Sequence, residues 1–348
     1  MHDDAPQPPL AGHPYAALTP DVVLDALALV GLHGDGRLMA LSSYENRVYQ
    51  AVLEDGSRVV AKFYRPGRWS RAQILEEHAF AQELAGAEVP AVAPLVLDGA
   101  SLHAHAGFEF SVSPWRGGRQ PELDDFEVLE WIGRFLARLH NVGAARPFDQ
   151  RPRLDVHSFG RQPRDWLLAS GLVAPEVRGA WQQACDEAIE LIAAGASSTG
   201  AGGTFGLNDA APLRLHGDCH PGNILWTPPG PGGGGPHFVD LDDARTGPAV
   251  QDLWMLLSGE RRQRTAQLSA LLEGYEQLRD FDRRELALIE PLRTLRLIHY
   301  SAWLAQRFAG DPIFPINFPW FGTADYWRGQ VDMLHEQLEA LREEPLQA

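Results

Sequence analysis

LHGDCHPGNILW, residues 215–226, decides how this chain is read. It holds His216, Asp218 and, five residues after that aspartate, Asn223, all ahead of a short apolar run. HFVDLDD follows at 237–243 and puts Asp240 and Asp242 at alternate positions of a strand end. The two-residue side-chain period of a strand then places both carboxylates on one face. A lone aspartate or a lone D-x-D carries little meaning. The ordered set H-x-D-x4-N followed by a strand-borne aspartate is specific, and the chemistry it suits is phosphoryl transfer. That reaction needs a hydroxyl in line with a γ-phosphate and a divalent cation against the developing charge. Asp218 suits the carboxylate that orients the hydroxyl and accepts its proton. Magnesium takes oxygen ligands, keeps several waters and binds through one or two carboxylates plus phosphates. The amide carbonyl of Asn223 and the carboxylate of Asp240 are oxygens of that kind. The plainer reading makes Asp218 and Asn223 turn caps. A zinc cluster from His216, Asp218 and His220 lacks a cysteine partner and suits the loop poorly.

Upstream, YENRVYQAVLEDGSRVVAKFY at 44–64 is rich in Val, Tyr and Phe and is split by Asp55-Gly56, a hairpin signal. The second strand carries Lys62, the single lysine among the 30 basic residues. A lysine there can meet nucleotide phosphates as a compact point charge, which the planar guanidinium does poorly. Ser70 and Gln73 form a capping box for the next helix. In that helix Ile74, Glu77, Phe80, Ala81 and Leu84 share one stripe. A glutamate on an apolar face is costly unless paired, which points to a Lys62–Glu77 ion pair. The alternative leaves Glu77 solvated at the stripe's edge. Between Leu41 and Val52 there is no G-x-G-x-x-G, so Ser42, Ser43 and Asn46 are the candidates to donate to phosphates in place of glycine backbone. Arg65, Arg68 and Arg71 read as a solvated basic loop, and His103 and His105 as exposed turn residues.

The remaining chain organises around these motifs. A Pro-rich start precedes a short helix opening at Pro20-Asp21. VPAVAPLVL (89–97) and GFEFSV (107–112) read as strands, and SPWRGGRQP (113–121) has the Pro and Gly content of a hinge. Helical periodicity then dominates, at Leu129, Ile132, Leu136 and Leu139 and near 178–194, 262–278, 285–308 and 325–343. Two Gly-rich stretches, 195–211 and 228–236, read as mobile loops. The expected fold class is α+β and bilobal. A flexible segment (1–19) leads to a β-rich, nucleotide-binding N-lobe (20–114). A hinge (115–121) then joins it to a mainly helical, catalytic C-lobe (122–348).

The 348 residues carry 46 acidic and 30 basic side chains, a net charge of −16, which argues against sequence-independent binding of nucleic acid or of an anionic membrane surface. Two cysteines, Cys185 and Cys219, give neither a disulfide framework nor a Cys-rich zinc site. No apolar stretch is long enough to span a bilayer and the start lacks a signal-peptide pattern, so the expectation is a cytoplasmic protein.

These features resemble the protein-kinase-like fold in its aminoglycoside phosphotransferase and choline kinase branch, where H-G-D replaces H-R-D. SSYENRVYQ (42–50), VAKFYRPGRWS (60–70), ILEEH (74–78), LHGDCHPGNILW (215–226), FVDLDDARTGPAVQDLWMLL (238–257) and NFPW (317–320) closely resemble the bacterial stress response kinase A family. The resemblance spans about residues 20–340. It implies an ATP- and Mg2+-dependent serine/threonine protein kinase acting in the stress response, as a monomer on a protein substrate. Asp218 would be the catalytic base, Asn223 and Asp240 the magnesium ligands and Asp240 a second active-site residue. Ser43, Lys62 and Glu77 would serve ATP. It also casts Asp252 as a helix-borne brace of the catalytic loop. The open alternatives are a small-alcohol acceptor such as choline, homoserine or an aminoglycoside, a nucleotide-sensing pseudokinase, and a D-x-D glycosyltransferase.

Overall fold

A computed structural model describes residues 13–195, 198–199, 203–230, 233–308 and 310–348. The first twelve residues of the expected flexible segment, and parts of both Gly-rich loops, lie outside the described residues. The chain forms two compact units. One takes the residues up to His78, Ala93–Trp115 and Gln306–Pro319; the other takes Ala79–Val92, Arg116–Ala305 and Trp320–Ala348.

The first unit is built on helix α1 (Pro20–Leu29) and five strands: β1 (Gly34–Leu41), β2 (Arg47–Leu53), β3 (Arg58–Phe63), β4 (His103–His105) and β5 (Phe108–Pro114). Every pairing in the sheet is antiparallel, in the order β1-β2-β3-β5-β4. The hairpin closes at Asp55-Gly56, with Ser57 N–H on the Asp55 carboxylate at 2.9 Å. Val59, Ala61 and Phe63 enter the core beneath Val23, Ala26 and Leu27 of α1. The strand alternation turns Lys62, opposite Ser111 of β5 and Val48 of β2, to the other face. Helix α2 (Arg71–Gly86) begins at the expected capping box, with Ser70 N–H on Gln73 Oε1 at 2.9 Å and Gln73 N–H on Ser70 Oγ at 3.3 Å.

Two strand expectations are corrected. VPAVAPLVL forms no strand, only isolated bridges at Ala91 and Leu97, because Pro90 and Pro94 have no N–H to give a ladder. His103 and His105 are half-buried in β4 instead of exposed in a turn.

In the second unit α3 (Phe126–Ala144) lies against α7 (Arg261–Tyr275). A Cβ on Gly133 would overlap the Leu271 carbonyl, and one on Gly274 the Glu130 carbonyl, so the two backbones approach as only glycine permits. Between these helices in sequence stand α4 (Gln162–Ser170), α5 (Arg178–Ala193) and α6 (Gln251–Trp254). Helices α8 (Ile289–Phe308), α9 (Ile313–Asn317) and α10 (Ala324–Ala340) follow, with α8 passing into the first unit and α9 lying wholly in it. Short strands frame the loops: β6 (Ser198–Thr199) with β7 (Gly203–Thr204), β8 (Leu213–Leu215) with β11 (Arg245–Gly247), and the hairpin β9 (Ile224–Gly230) with β10 (Gly233–Phe238). Arg119, in the Pro- and Gly-rich segment, bridges to Trp226 of β9 through hydrogen bonds of 3.0 and 2.6 Å. Among the described residues no helix is long and apolar enough to cross a membrane.

Candidate active site

The loop 216–223 leaves β8 and enters β9, and a buried carboxylate shapes its first half. Asp252, fully buried on α6, accepts His216 N–H at 2.8 Å on Oδ2 and Gly217 N–H at 2.8 Å on Oδ1. Its Oδ2 also lies 3.1 Å from His140 Nε2, and His140 Nδ1 is 2.8 Å from the Tyr275 hydroxyl. Burial opposes ionisation of Asp252, but the His140 contact and the loop N–H groups outweigh it and hold the carboxyl below its ordinary range. Gln251 fastens the loop from the other side, Nε2 donating to the Gly217 carbonyl at 3.0 Å. Gly217 has φ +84°, and a Cβ there would overlap the Asp243 carbonyl. The bracing role expected of Asp252 is thus what the geometry displays.

The second half of the loop carries the candidate chemistry. Asp218 is half-buried; its N–H meets His216 Nδ1 at 3.4 Å and its carbonyl accepts Asn223 Nδ2 at 2.9 Å. That donation sets the Asn223 amide so that Oδ1 is its acceptor. His216 is buried, with Nε2 2.9 Å from the Val239 carbonyl, and Val239 N–H donates to the Asn223 carbonyl at 3.0 Å. Asp218, Asn223 and the residue before Asp240 are therefore tied within one short hydrogen-bonded frame. Near the aspartate, His220 is pushed below its ordinary pKa by burial and the Arg296 guanidinium, against the opposing pull of Asp218.

Asp240 itself departs from the expected strand. β10 stops at Phe238, Asp240 adopts a left-handed backbone (φ 59°, ψ 63°), and Leu241–Asp243 is a 3-10 turn. Asp240 is exposed and Asp242 buried, so the two carboxylates do not share a strand face. Arg151, itself buried, holds this turn through the carbonyls of Asp242 and Ala244. Among the described residues no cluster of three or more His, Cys, Asp or Glu forms a metal cage. An amide oxygen and an exposed carboxylate are hard donors, a set that fits a magnesium ion completed by water and phosphate.

The remaining candidates lie in the first unit. Lys62 is half-buried on β3, its Nζ 5.2 Å from the Tyr64 ring centroid. The Tyr64 hydroxyl is 2.7 Å from His78 Nε2 and 3.1 Å from Ser111 Oγ. Glu77 is buried on the apolar stripe of α2 with Ile74, Phe80, Ala81 and Leu84, so it is not a solvated edge residue. Ser43 is half-buried between β1 and β2. Asn46 is buried and committed to the loop, its Oδ1 accepting Arg65 N–H at 3.1 Å.

Arg65 and Arg68 correct the solvated-loop expectation. Arg65 reaches the Glu45 carboxylate at 2.8 Å and Asp311 at 2.6 Å, and its side chain is only 9% exposed. Arg68 lies 3.6 Å from Glu45, and Arg307 meets the same carboxylate at 2.7 Å. Arg47 pairs with Asp311 at 2.8 Å. Arg65 also donates to the carbonyls of Glu45 and Tyr44, so guanidinium groups, not glycines, set the 42–46 loop. Arg71 alone follows expectation, exposed and paired with Glu109. Sequence reasoning missed His140, Arg151 and this cluster. For His140 a signal existed, since it falls on the buried stripe of α3 with Leu136 and Gly143.

Comparison with known proteins shows the family. The family model described as "Phosphotransferase enzyme family" matches residues 37–289. Stress response kinase A of Escherichia coli (strain K12) is 46% identical over 333 residues, covering 96% of each chain. The "Serine/threonine protein kinase RdoA" of Salmonella typhimurium (strain LT2) matches to the same extent. At 20% identity, an amicoumacin kinase solved with AMP-PNP, Ca2+ and Ami shares the fold, with a TM-score of 0.67 over 92% of each chain. The buried carboxylate under an H-G-D loop, the Asn223 tie and the single lysine of the antiparallel sheet thus stand in a chain that belongs to the stress response kinase A family of protein-kinase-like phosphotransferases.

Proposed function

We propose that this chain is an ATP- and magnesium-dependent serine/threonine protein kinase. The observation that carries the proposal is the braced loop. Asp252 fixes the backbone at 216–217 and Asn223 fixes the Asp218 carbonyl, so Asp218 is presented half-buried at a set position. A general base needs this, because proton transfer depends on reach and alignment before it depends on basicity. The 46% identity to proteins named as stress response kinases supports the same reading.

In this reading Asp218 orients the acceptor hydroxyl and takes its proton as the oxygen attacks the γ-phosphorus. Asn223 Oδ1 and the Asp240 carboxylate would hold magnesium, which supplies charge neutralisation at the phosphates. Lys62, supported by Glu77, meets the phosphates of ATP, and Ser43 contacts the nucleotide. The enzyme then acts as a cytoplasmic monomer on protein serine or threonine. We keep the domain reading with it: nucleotide binding in 20–114, a hinge at 115–121 and catalysis in 122–348. A small-molecule acceptor is the second reading, favoured by the fold shared with an amicoumacin kinase.

The test is Asp218→Ala. Loss of about 10²–10⁴ in phosphoryl transfer is expected, and undiminished transfer refutes Asp218 as the base. Labelled ATP offered separately with a protein extract and a metabolite pool distinguishes the acceptors. Label confined to metabolites would overturn the protein-kinase reading.

A further inference from the structure

The Asp218 carboxylate is asymmetric. Arg296, on α8, places Nη1 2.7 Å from Oδ1, an ion pair without an aligned hydrogen bond, and Oδ1 is sealed from solvent. The side chain as a whole keeps 21% exposure, which Oδ1 does not supply. Oδ2 faces His220 Nε2 at 3.6 Å, beyond a normal hydrogen bond. His220 Nδ1 already accepts Gly222 N–H at 3.0 Å, so its proton sits on Nε2. The Asp218 backbone is fixed at its N–H by His216 and at its carbonyl by Asn223. Rotation about the side-chain bonds is the freedom that remains, and Arg296 is placed to remove it.

We propose that Arg296 is a positioning residue for phosphoryl transfer, sealing Asp218 Oδ1 so that Oδ2 is the oxygen that receives the acceptor's proton. The inference rests on Asp218 being the base. The hydroxyl O–H bond breaks towards Oδ2 while the acceptor oxygen bonds to the γ-phosphorus and the bond to the bridging oxygen of ADP breaks. In this role Arg296 stays charged throughout and acts through Asp218. Helix α8 does not depend on this pair for its place. Leu292, Leu295 and Ile298 are buried along it, and Arg293 pairs with Glu290 at 3.1 Å and lies 5.6 Å from the Trp254 ring. A guanidinium spent on the base therefore has a local role.

The experiment measures ADP release from magnesium-ATP with casein as acceptor for the full-length chain and for D218A, R296A and R296Q. This readout sums transfer to casein, self-phosphorylation and hydrolysis. R296A is expected to lose about 10- to 100-fold in kcat, the scale of a misplaced reacting group. Its KM for ATP and its melting temperature should stay near those of the unaltered chain. Added methylguanidinium should restore R296A by about tenfold while leaving D218A inactive, a rescue that a merely structural role would not give. Inactive D218A with fully active R296A overturns this inference alone. Active D218A overturns the base assignment instead. Loss of kcat in R296A that methylguanidinium does not restore also counts against the positioning role. If R296A does not fold, R296Q carries the same expected loss of kcat at unchanged KM for ATP, and full activity in R296Q overturns the inference.

Discussion

Replacing Asp252 by asparagine should weaken the support of the 216–223 loop while keeping the side chain's shape. The carboxylate serves three donors: His216 N–H and His140 Nε2 on Oδ2, Gly217 N–H on Oδ1. An asparagine has one oxygen. Its best placement keeps the two donors at Oδ2 and turns its own NH2 towards Gly217 N–H. An orphaned buried donor costs about 1–3 kcal/mol, and weakening two charge-assisted bonds to neutral ones costs about 1 kcal/mol each. The sum is about 3–5 kcal/mol. Breaking a buried charged pair falls in the same range of about 3–5 kcal/mol. The assay is urea unfolding of the unaltered chain and Asp252→Asn at pH 7.5, read as a fall in midpoint at unchanged slope. Phosphoryl transfer should fall with it, because two of the three donors belong to the loop that bears Asp218. A stability loss under about 1 kcal/mol, with activity intact, would refute the view that this carboxylate organises the loop.

Two further outcomes are expected. Gly217→Ala should cost about 1–2 kcal/mol for the left-handed backbone alone, plus the overlap with the Asp243 carbonyl, and should remove activity; a fully active, stable variant would contradict the close approach. Glu285, buried beneath the Val250 N–H that precedes α6, is pushed up by burial from 4.5 to about 7. Between those values the unfolded chain ionises this group and the folded chain does not. Stability should therefore decline by about 3 kcal/mol as pH rises from 4.5 to 7, and Glu285→Gln should flatten that slope in urea unfolding at successive pH values.

How much of this was legible depended on how local each cause is. The Asp55-Gly56 turn, the Ser70–Gln73 box and the helical periods are set within a few residues, and they stand where the pattern put them. Asp252 was legible as a brace from its motif. Strand β1 was missed because GDGRLMAL is mostly exposed or half-buried and shows no clean alternation. VPAVAPLVL misled because apolar content outweighed its prolines. The D-x-D at 240–242 misled because backbone at φ 59° abandons the strand period. Arg296 and the Glu45–Arg65–Asp311 cluster depend on partners far away in the chain, and no spacing rule reaches them.

The 306–319 stretch gives the first unit a circular dependence on chain order. Asp311, with no exposed side-chain surface, is the shared counter-ion of Arg47 and Arg65, and Arg307 neutralises part of Glu45. A fragment ending at residue 115 would keep the whole sheet yet lose both late partners, leaving the Arg47 and Arg65 guanidinium groups without the Asp311 carboxylate. Synthesis from the N-terminus must wait for almost the entire chain before the loop at 42–46 can acquire its final charge balance. Maturation of this half is thereby coupled to completion of the polypeptide: a truncated product is left with an electrostatically unfinished loop.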